Sequence, residues 1–316
     1  MENYTRDVGT TWIKFDQYWQ EGYPYLDRIE IYYIPEQSTA AAMMEAGEAD
    51  IWLGADGLNT KRLMEKGFVY QTGWAGAQTH LIPNTADPNS PFLDKRVREA
   101  VEYAIDKQAI VDALGYGFSE TIDTIAPRGE WGGDRQFRHY DPEKAKQLLI
   151  EAGYPEGLEI SLIAQAGAGG RNEMAEALAN YLEKVGFKVN IDIADAGRYY
   201  AEVWDGSWKD LALAIGGTDT TFLTAVQRWW GHNGVYQGGF KRPEKLIELS
   251  QASLKAVTRE EQKRMTEEMV YLIAEEALVI PISHAPTGFI HTGKVHTDYM
   301  AQGNSRWKHH DMWLEP

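Results

Sequence analysis

Residues 158–215 alternate between two hydrophobic periods, and that alternation constrains the fold more than any other feature of the chain. Leu158–Ala164, Lys188–Ala194 and Leu211–Ile215 are short apolar runs of strand length. Asn172–Val185 and Arg198–Trp204, lying between them, carry apolar residues at helical spacing. A strand–helix–strand–helix–strand order calls for parallel strands with right-handed crossovers and helices packed on the sheet faces. The expected core is therefore a parallel α/β sheet, and ligands of such sheets meet them at the carboxyl ends of the strands.

Helix punctuation extends this reading upstream. In PFLDKRVREAVEYAIDKQAIVDAL, Asp94 is placed to cap a helix whose Val97, Val101, Ala104 and Ile105 share one face. In YDPEKAKQLLIEAGYPEG, Asp141 caps, Pro142 takes the first helical position, Glu143 sits in the first turn and Gly153 ends the helix. Earlier, Arg28–Ile34 alternates like a half-buried strand. Ser38 is placed to cap a helix over Ala40–Ala46 that Gly47 stops, Asp50–Leu53 reads as a strand, and Thr60–Lys66 as a helix ended by Gly67. Gln78–Asn84 is apolar and extended. Further on, Arg242–Val257 and Arg259–Glu276 are helical, and Ala277–Ile282 returns as a strand that Pro281 breaks.

These blocks, in this order, resemble the extracellular solute-binding proteins of family 5, the oligopeptide- and dipeptide-binding family that feeds ABC importers. FDQYWQEGYPYLDRIEIYYIPEQSTAAAMMEAGEADI (Phe15–Ile51) is similar to the block that precedes them in that family, and the similarity runs from about Phe15 to Pro286. The resemblance implies an α/β, periplasmic-binding-protein-like fold (class II, cluster C), with one complete lobe and part of a second. Residues 1–80 would be the partial lobe, 81–285 the complete lobe, and 286–316 a segment returning to the first. In the family, the block around Tyr18–Asp27 lies well inside the sequence, so the chain is expected to be a C-terminal fragment. Tyr18, Trp19, Tyr32, Tyr33, Trp307 and Trp313 are then candidates for uncovered apolar surface. Either self-association or poor order in residues 1–80 is expected from that.

Composition narrows the function. With 47 acidic against 31 basic residues and a formal charge of −16, the chain lacks the clustered basic surface that nucleic acids or anionic lipid would need. It has no cysteine, so neither disulfides nor a thiolate site enter. No apolar run reaches the roughly 18 residues of a membrane span. The opening MENYTRDVGTTW has neither the basic nor the apolar region of a secretory signal. By resemblance the protein is nonetheless exported, to the periplasm or cell surface.

Candidate chemistry is sparse. Gly167–Gly170 follows a strand and precedes a helix, but Asn172 stands where a dinucleotide fingerprint needs its third glycine, and a plain strand-to-helix loop is the better reading. The histidines (80, 139, 232, 284, 291, 296, 309 and 310) show no HExxH spacing, so no metal with two histidine ligands and no cofactor are expected. No GxSxG motif or ordered triad marks a hydrolase. Eleven tryptophans are the stronger signal, several beside glycines: Trp74 in GWAG, Trp131 in EWGG, Trp229 and Trp230 in RWWGHNG. Rings on loops can stack on apolar ligand faces while the indole N–H donates a hydrogen bond, and two adjacent rings are not expected to share one core.

The resemblance also places Asp219 close to an aspartate that receives the ligand's α-ammonium in peptide-binding relatives. The acidic-aromatic-x-x-proline run usual there is replaced by Thr218–Phe222. The expected function is non-enzymatic capture of a small ligand between two closing lobes, for delivery to an ABC permease. Short peptides rank first and oligosaccharides second, with a hydrolase of such ligands as the rival. Trp74, Asp219, Trp229, Trp230 and Tyr236 are the expected ligand-binding residues.

Overall fold

The computed structural model describes residues 1–166, 171–217, 221–235, 238–297 and 309–315, apart from the side chains of residues 74 and 75. Gly167–Gly170 and Trp307 lie outside the described residues. The chain forms two compact units, one of residues 1–75 with 286–316 and one of residues 76–285.

In the smaller unit, β1 (Asn3–Thr5), β2 (Gly9–Ile13) and β3 (Arg28–Tyr32) form an antiparallel sheet in sequence order. Helix α1 (Gln37–Ala46) follows, and Gly47 ends it at φ 71° while its N–H donates to the Met44 carbonyl. Ser38 does not cap this helix. The helix starts one residue earlier, after Glu36, which makes no side-chain cap, and the Gln37 side chain ties down the later loop by accepting from Asp56 N–H at 3.1 Å. After β4 (Ile51–Leu53), α2 (Gly57–Glu65) begins sooner than its sequence suggests, because Asp56 accepts from Asn59 N–H at 2.7 Å. Met44, Leu63 and Ile290 make the small core of this unit.

The larger unit is entered along β5 (Val69–Pro83) and left along β10 (Ile280–His291). Between them come α3 (Lys95–Ala104), α4 (Lys107–Leu114), β6 (Glu120–Thr121), α5 (Pro142–Glu151), β7 (Leu158–Gln165), α6 (Arg171–Glu183), β8 (Phe187–Ala194), α7 (Ala196–Asp205), β9 (Leu211–Gly217), α8 (Phe222–Trp229), α9 (Glu244–Lys255) and α10 (Arg259–Glu275). A short pair, β11 (Val295–His296) and β12 (Trp313–Leu314), closes the smaller unit.

β7 runs parallel to both β8 and β9, as the alternation of residues 158–215 requires, and β5 joins β9 antiparallel with His80 opposite Ala214. Each face of this sheet has its own core. On one side Leu81, Leu162, Leu211 and Leu213 pack with Val97, Val101, Leu148 and Leu178. On the other Ile82, Ile163, Ala212 and Ala214 pack with Trp208, Val226, Phe240, Met269 and Ile273. The alternation along β9 is the period of a pleated strand buried on both sides.

Asp94 and Asp141 cap as their sequences imply, accepting from Arg96 and Lys144 N–H at 2.9 Å. The helical stretch after Asp94 is nevertheless two helices. Ile105 turns extended, and Asp106 starts α4 by accepting from Ala109 N–H at 3.0 Å. A capping box of Thr258 and Glu261 opens α10. Pro281 does not break the returning strand. β10 runs through it from Ile280 to His291.

Two buried arginines secure the end of α10, where the chain turns through Ala277 at φ 47° into β10. Arg98 donates to the carbonyls of Phe92, Leu93 and Glu276, and Arg138 to those of Ala274 (2.6 Å) and Glu275 (2.7 Å). Arg138 also pairs with Glu102 at 3.0 Å and Glu99 at 2.9 Å, while Lys107 shares Glu102 at 3.2 Å. Helix-end carbonyls with no intrahelical partner are thereby satisfied away from water. His80 is the other buried polar group of note. It is 1% exposed, its Nε2 lies 3.1 Å from Gln78 Oε1, and among the described residues Nδ1 has no partner. Burial, then the charges of Lys107 and His284, push it down to about 3.

Replacing Arg138 by Met is expected to cost about 3 kcal/mol, because it leaves the buried Glu102 carboxylate with Lys107 alone and removes the guanidinium donor from the Ala274 and Glu275 carbonyls. Lys146→Ala, which removes an exposed pair with Glu143, should cost no more than about 0.5 kcal/mol. Urea unfolding of both variants checks this, and equal losses would contradict it. His80 predicts a pH dependence of the same sign as that of a paired carboxylate, reaching to higher pH. Its folded value lies below its ordinary 6.5, so the unfolded chain binds the extra proton as the pH falls from 6.5 toward 3. Stability from this site is complete above that window and erodes through it. His80→Gln should flatten the stability–pH slope there by up to about 1.4 kcal/mol per pH unit, and an unchanged slope would contradict it.

Candidate functional site

The carboxyl ends of β7, β8 and β9 lie along one edge of the larger unit, the edge at which sheets of this type meet ligands. β9 ends in Gly216 and Gly217, and α8 begins after Thr221, whose hydroxyl accepts from Thr224 N–H at 3.2 Å. One pass along α8 returns the chain to the strand end. There the Trp229 indole N–H donates to the Gly217 carbonyl at 2.9 Å. A Cβ on Gly216 would stand 3.8 Å from the indole and from the His80 ring, in ordinary contact with both. Trp229 is half-buried, and the Arg228 guanidinium lies 5.0 Å from its ring centre. The indole is thus a fixed aromatic surface at the strand end, with part of its area open to water.

Trp230 has a different place. It is 2% exposed, set edge-on to His80 (5.5 Å, 83°) and against Phe240 (5.6 Å), and belongs to the core of that face. The two adjacent rings do share one core, because α8 ends there: Trp230 turns inward and Trp229 packs across its margin. The ligand role expected of the pair therefore passes, as a proposal, to Trp229 alone.

Of the other expected residues, Asp219 and Tyr236 lie outside the described residues. Trp74 lies in β5 and its side chain is likewise outside them. Trp131 is half-buried against the core with Arg259 5.8 Å from its ring, a packing position beneath a loop. His309 and His310 belong to the smaller unit, and among the described residues no three His, Asp or Glu side chains are placed to hold a metal ion. Among them, too, no helix is long and apolar enough to cross a membrane.

Sequence reasoning passed over the buried pair Gln78 and His80, which supports the strand end from below. The signal was present in AQTHLIP, where Gln78 and His80 fall at alternate positions, on one face of the strand. At the neighbouring strand end, Gln165 of β7 accepts from Arg171 at the start of α6. Neutral amides, a guanidinium and an indole can bind a ligand by stacking and hydrogen bonding. They do not supply a nucleophile and base within reach of one another.

Residues 1–237 match the family model described as bacterial extracellular solute-binding proteins, family 5 Middle. The chain is 26% identical over 295 residues to Heme-binding protein A of Haemophilus influenzae, covering 90% of this chain and 53% of that protein. It is 29% identical over 218 residues to the Glutathione-binding protein GsiB of Salmonella paratyphi A, covering 68% of this chain and 42% of that one. The chain thus spans about half the length of the curated relatives it matches. Among solved structures, the periplasmic binding protein DppA of Helicobacter pylori in complex with the peptide STSA superposes with a TM-score of 0.85 at 23% identity, covering 99% of this chain and 62% of that chain. The fold is therefore α/β and periplasmic-binding-protein-like, and the chain belongs to the bacterial extracellular solute-binding proteins of family 5.

Proposed function

We propose that the protein is a substrate-binding component of an ABC importer that captures a short peptide outside the cytoplasmic membrane, in the periplasm or at the cell surface, and delivers it to a membrane permease. Relatives named for binding glutathione and the peptide STSA support a peptide-like ligand. The observation that carries the reading for this chain is the Trp229 indole, pinned to Gly217 at the carboxyl edge of the parallel strands with part of its face open. A peptide bond or apolar side chain stacks on such a face, and the neighbouring amide and guanidinium of Gln165 and Arg171 meet backbone polar groups. In this reading residues 81–285 are a complete lobe and residues 1–80 with 286–316 belong to the other. Asp219, Tyr236 and Trp74 remain proposed ligand contacts. The role is binding without turnover.

Calorimetric titration with a panel of di- to tetrapeptides, glutathione and short oligosaccharides tests this, with mass spectrometry of the ligand afterwards. One-to-one binding of a peptide recovered intact is expected. Product formation would make the protein a hydrolase, and binding of sugars alone would replace the peptide reading. Trp229→Ala should weaken binding by about 1–3 kcal/mol with little change in melting temperature, from lost stacking and apolar contact. Trp230→Ala should instead cost about 3–5 kcal/mol of stability, as for other buried aromatic truncations. Unchanged affinity in the Trp229 variant with a lowered melting temperature would make that ring structural as well.

A further inference from the structure

Two serines stand where the core face of α9 calls for apolar residues. Leu246, Leu249, Ser250 and Ser253 are the buried positions of that helix, and both serines are 0% exposed. A hydroxyl set in a core costs free energy unless its hydrogen bonds are made, and alanine would fill either position without that demand. What a buried hydroxyl adds over a methyl group is direction, because it holds its partners at one distance and angle.

The partners of these two serines lie at the end of α8 and in the turn after it. Ser253 Oγ donates to the Ser250 carbonyl at 2.9 Å, so its lone pairs accept from Gln227 Nε2 at 2.7 Å. The same amide nitrogen donates to the Ser250 carbonyl at 3.0 Å, which turns Gln227 Oε1 toward Ser250 Oγ at 2.7 Å. The single Ser250 hydroxyl proton is thereby directed at Gln227. Ser250 Oγ accepts from the His232 backbone N–H at 2.9 Å and lies 2.8 Å from His232 Nδ1, so the neutral imidazole carries its proton on Nδ1. A serine and a histidine this close can make a nucleophile and its base. Here the serine is sealed in the core with its proton engaged and the imidazole nitrogen is the donor, so the pair is a brace.

One hydroxyl thus ties Gln227, in the last turn of α8, to His232, and Trp229 and Trp230 lie between them. The close fit accounts for a glycine of RWWGHNG: a Cβ on Gly231 would stand 2.4 Å from Gln227 Oε1. Arg242 holds the same turn through separate contacts, its Nε donating to the Trp230 and Gly231 carbonyls at 3.2 and 2.6 Å.

We infer that Ser250 is a positioning residue for the ligand edge: through Gln227 and His232 its hydroxyl fixes the turn that sets the Trp229 indole against Gly217. The inference rests on the reading of Trp229 as a ligand surface. The bond from the indole N–H to the Gly217 carbonyl holds one point of the ring, and the brace holds the backbone that carries it. An aromatic surface kept in one orientation before a ligand arrives loses little freedom on binding, and that preorganisation appears as affinity.

The indole N–H resonances of protein labelled with 15N-tryptophan test this without a ligand, and calorimetry with the tightest-binding di- to tetrapeptide tests it with one. Ser250→Ala should move the Trp229 resonance while that of Trp208 stays in place, and should weaken peptide binding about 10-fold. Alanine favours a helix more than serine does and Arg242 still holds the turn, so the variant should fold, as circular dichroism checks. His232→Leu, which removes the Nδ1 donor at a half-buried site, should act in the same direction. His232→Asn, whose amide N–H reaches the same place, should recover most of the loss. A Trp229 resonance unmoved in both Ser250→Ala and His232→Leu would make the network structural only and overturn the inference. Full affinity in those variants while Trp229→Ala binds weakly would overturn it as well. No peptide binding, or unchanged binding in Trp229→Ala, would instead remove the ligand role of Trp229, and the inference with it.

Discussion

Burial of β9 on both faces is the constraint on which the rest of the larger unit depends. Leu211 and Leu213 face one core, Ala212 and Ala214 the other, and β5 and β7 flank the strand through antiparallel and parallel ladders. A strand with no wet face needs helices on both sides, and a parallel partner needs a crossover to reach it. The large–small alternation lets Trp208, Trp230 and Phe240 crowd the alanine side. Gly239 leaves room there, since a Cβ at that position would stand 2.3 Å from the Trp208 ring.

That packing sets the site. Because Trp230 must enter the core beside His80 and Phe240, α8 stops where the residue before it, Trp229, reaches the end of β9. The indole N–H then satisfies the Gly217 carbonyl, a strand-end acceptor that would otherwise need water. One tryptophan stabilises the core while its neighbour is held at the edge. His80 beneath them stays neutral because it is buried, which keeps a charge from forming under the indoles at ordinary pH.

Much of the fold was legible because its causes are local. Asp94, Asp141 and Gly47 act within one helical turn, so residue type and spacing were enough to read them. The parallel core followed from hydrophobic period and from connection rules that few folds violate. The break between α3 and α4 was hidden, since Ile105 continues the apolar pattern and only the Asp106 cap marks a new start. Pro281 misled because a proline interrupts a strand only where the ladder needs its N–H, and β10 runs through it. Trp230 misled for a related reason. Its flanking glycine suggested a loop, while the partners that bury it, His80 and Phe240, lie far off in sequence or beyond the glycine-rich turn. The family blocks were legible as blocks, but the side chain that reaches an edge is decided by packing.

The central claim is that Trp229 is the fixed aromatic surface of the ligand edge. It is tested most directly by the indole N–H resonances of protein labelled with 15N-tryptophan, assigned at this position through Trp229→Phe. Eleven tryptophans give eleven such signals at most. On titration with a peptide that binds, the Trp229 resonance should shift and saturate together with binding, while that of Trp208, fully buried and away from the strand end, stays in place. Saturable peptide binding that leaves the Trp229 resonance unmoved would contradict the account.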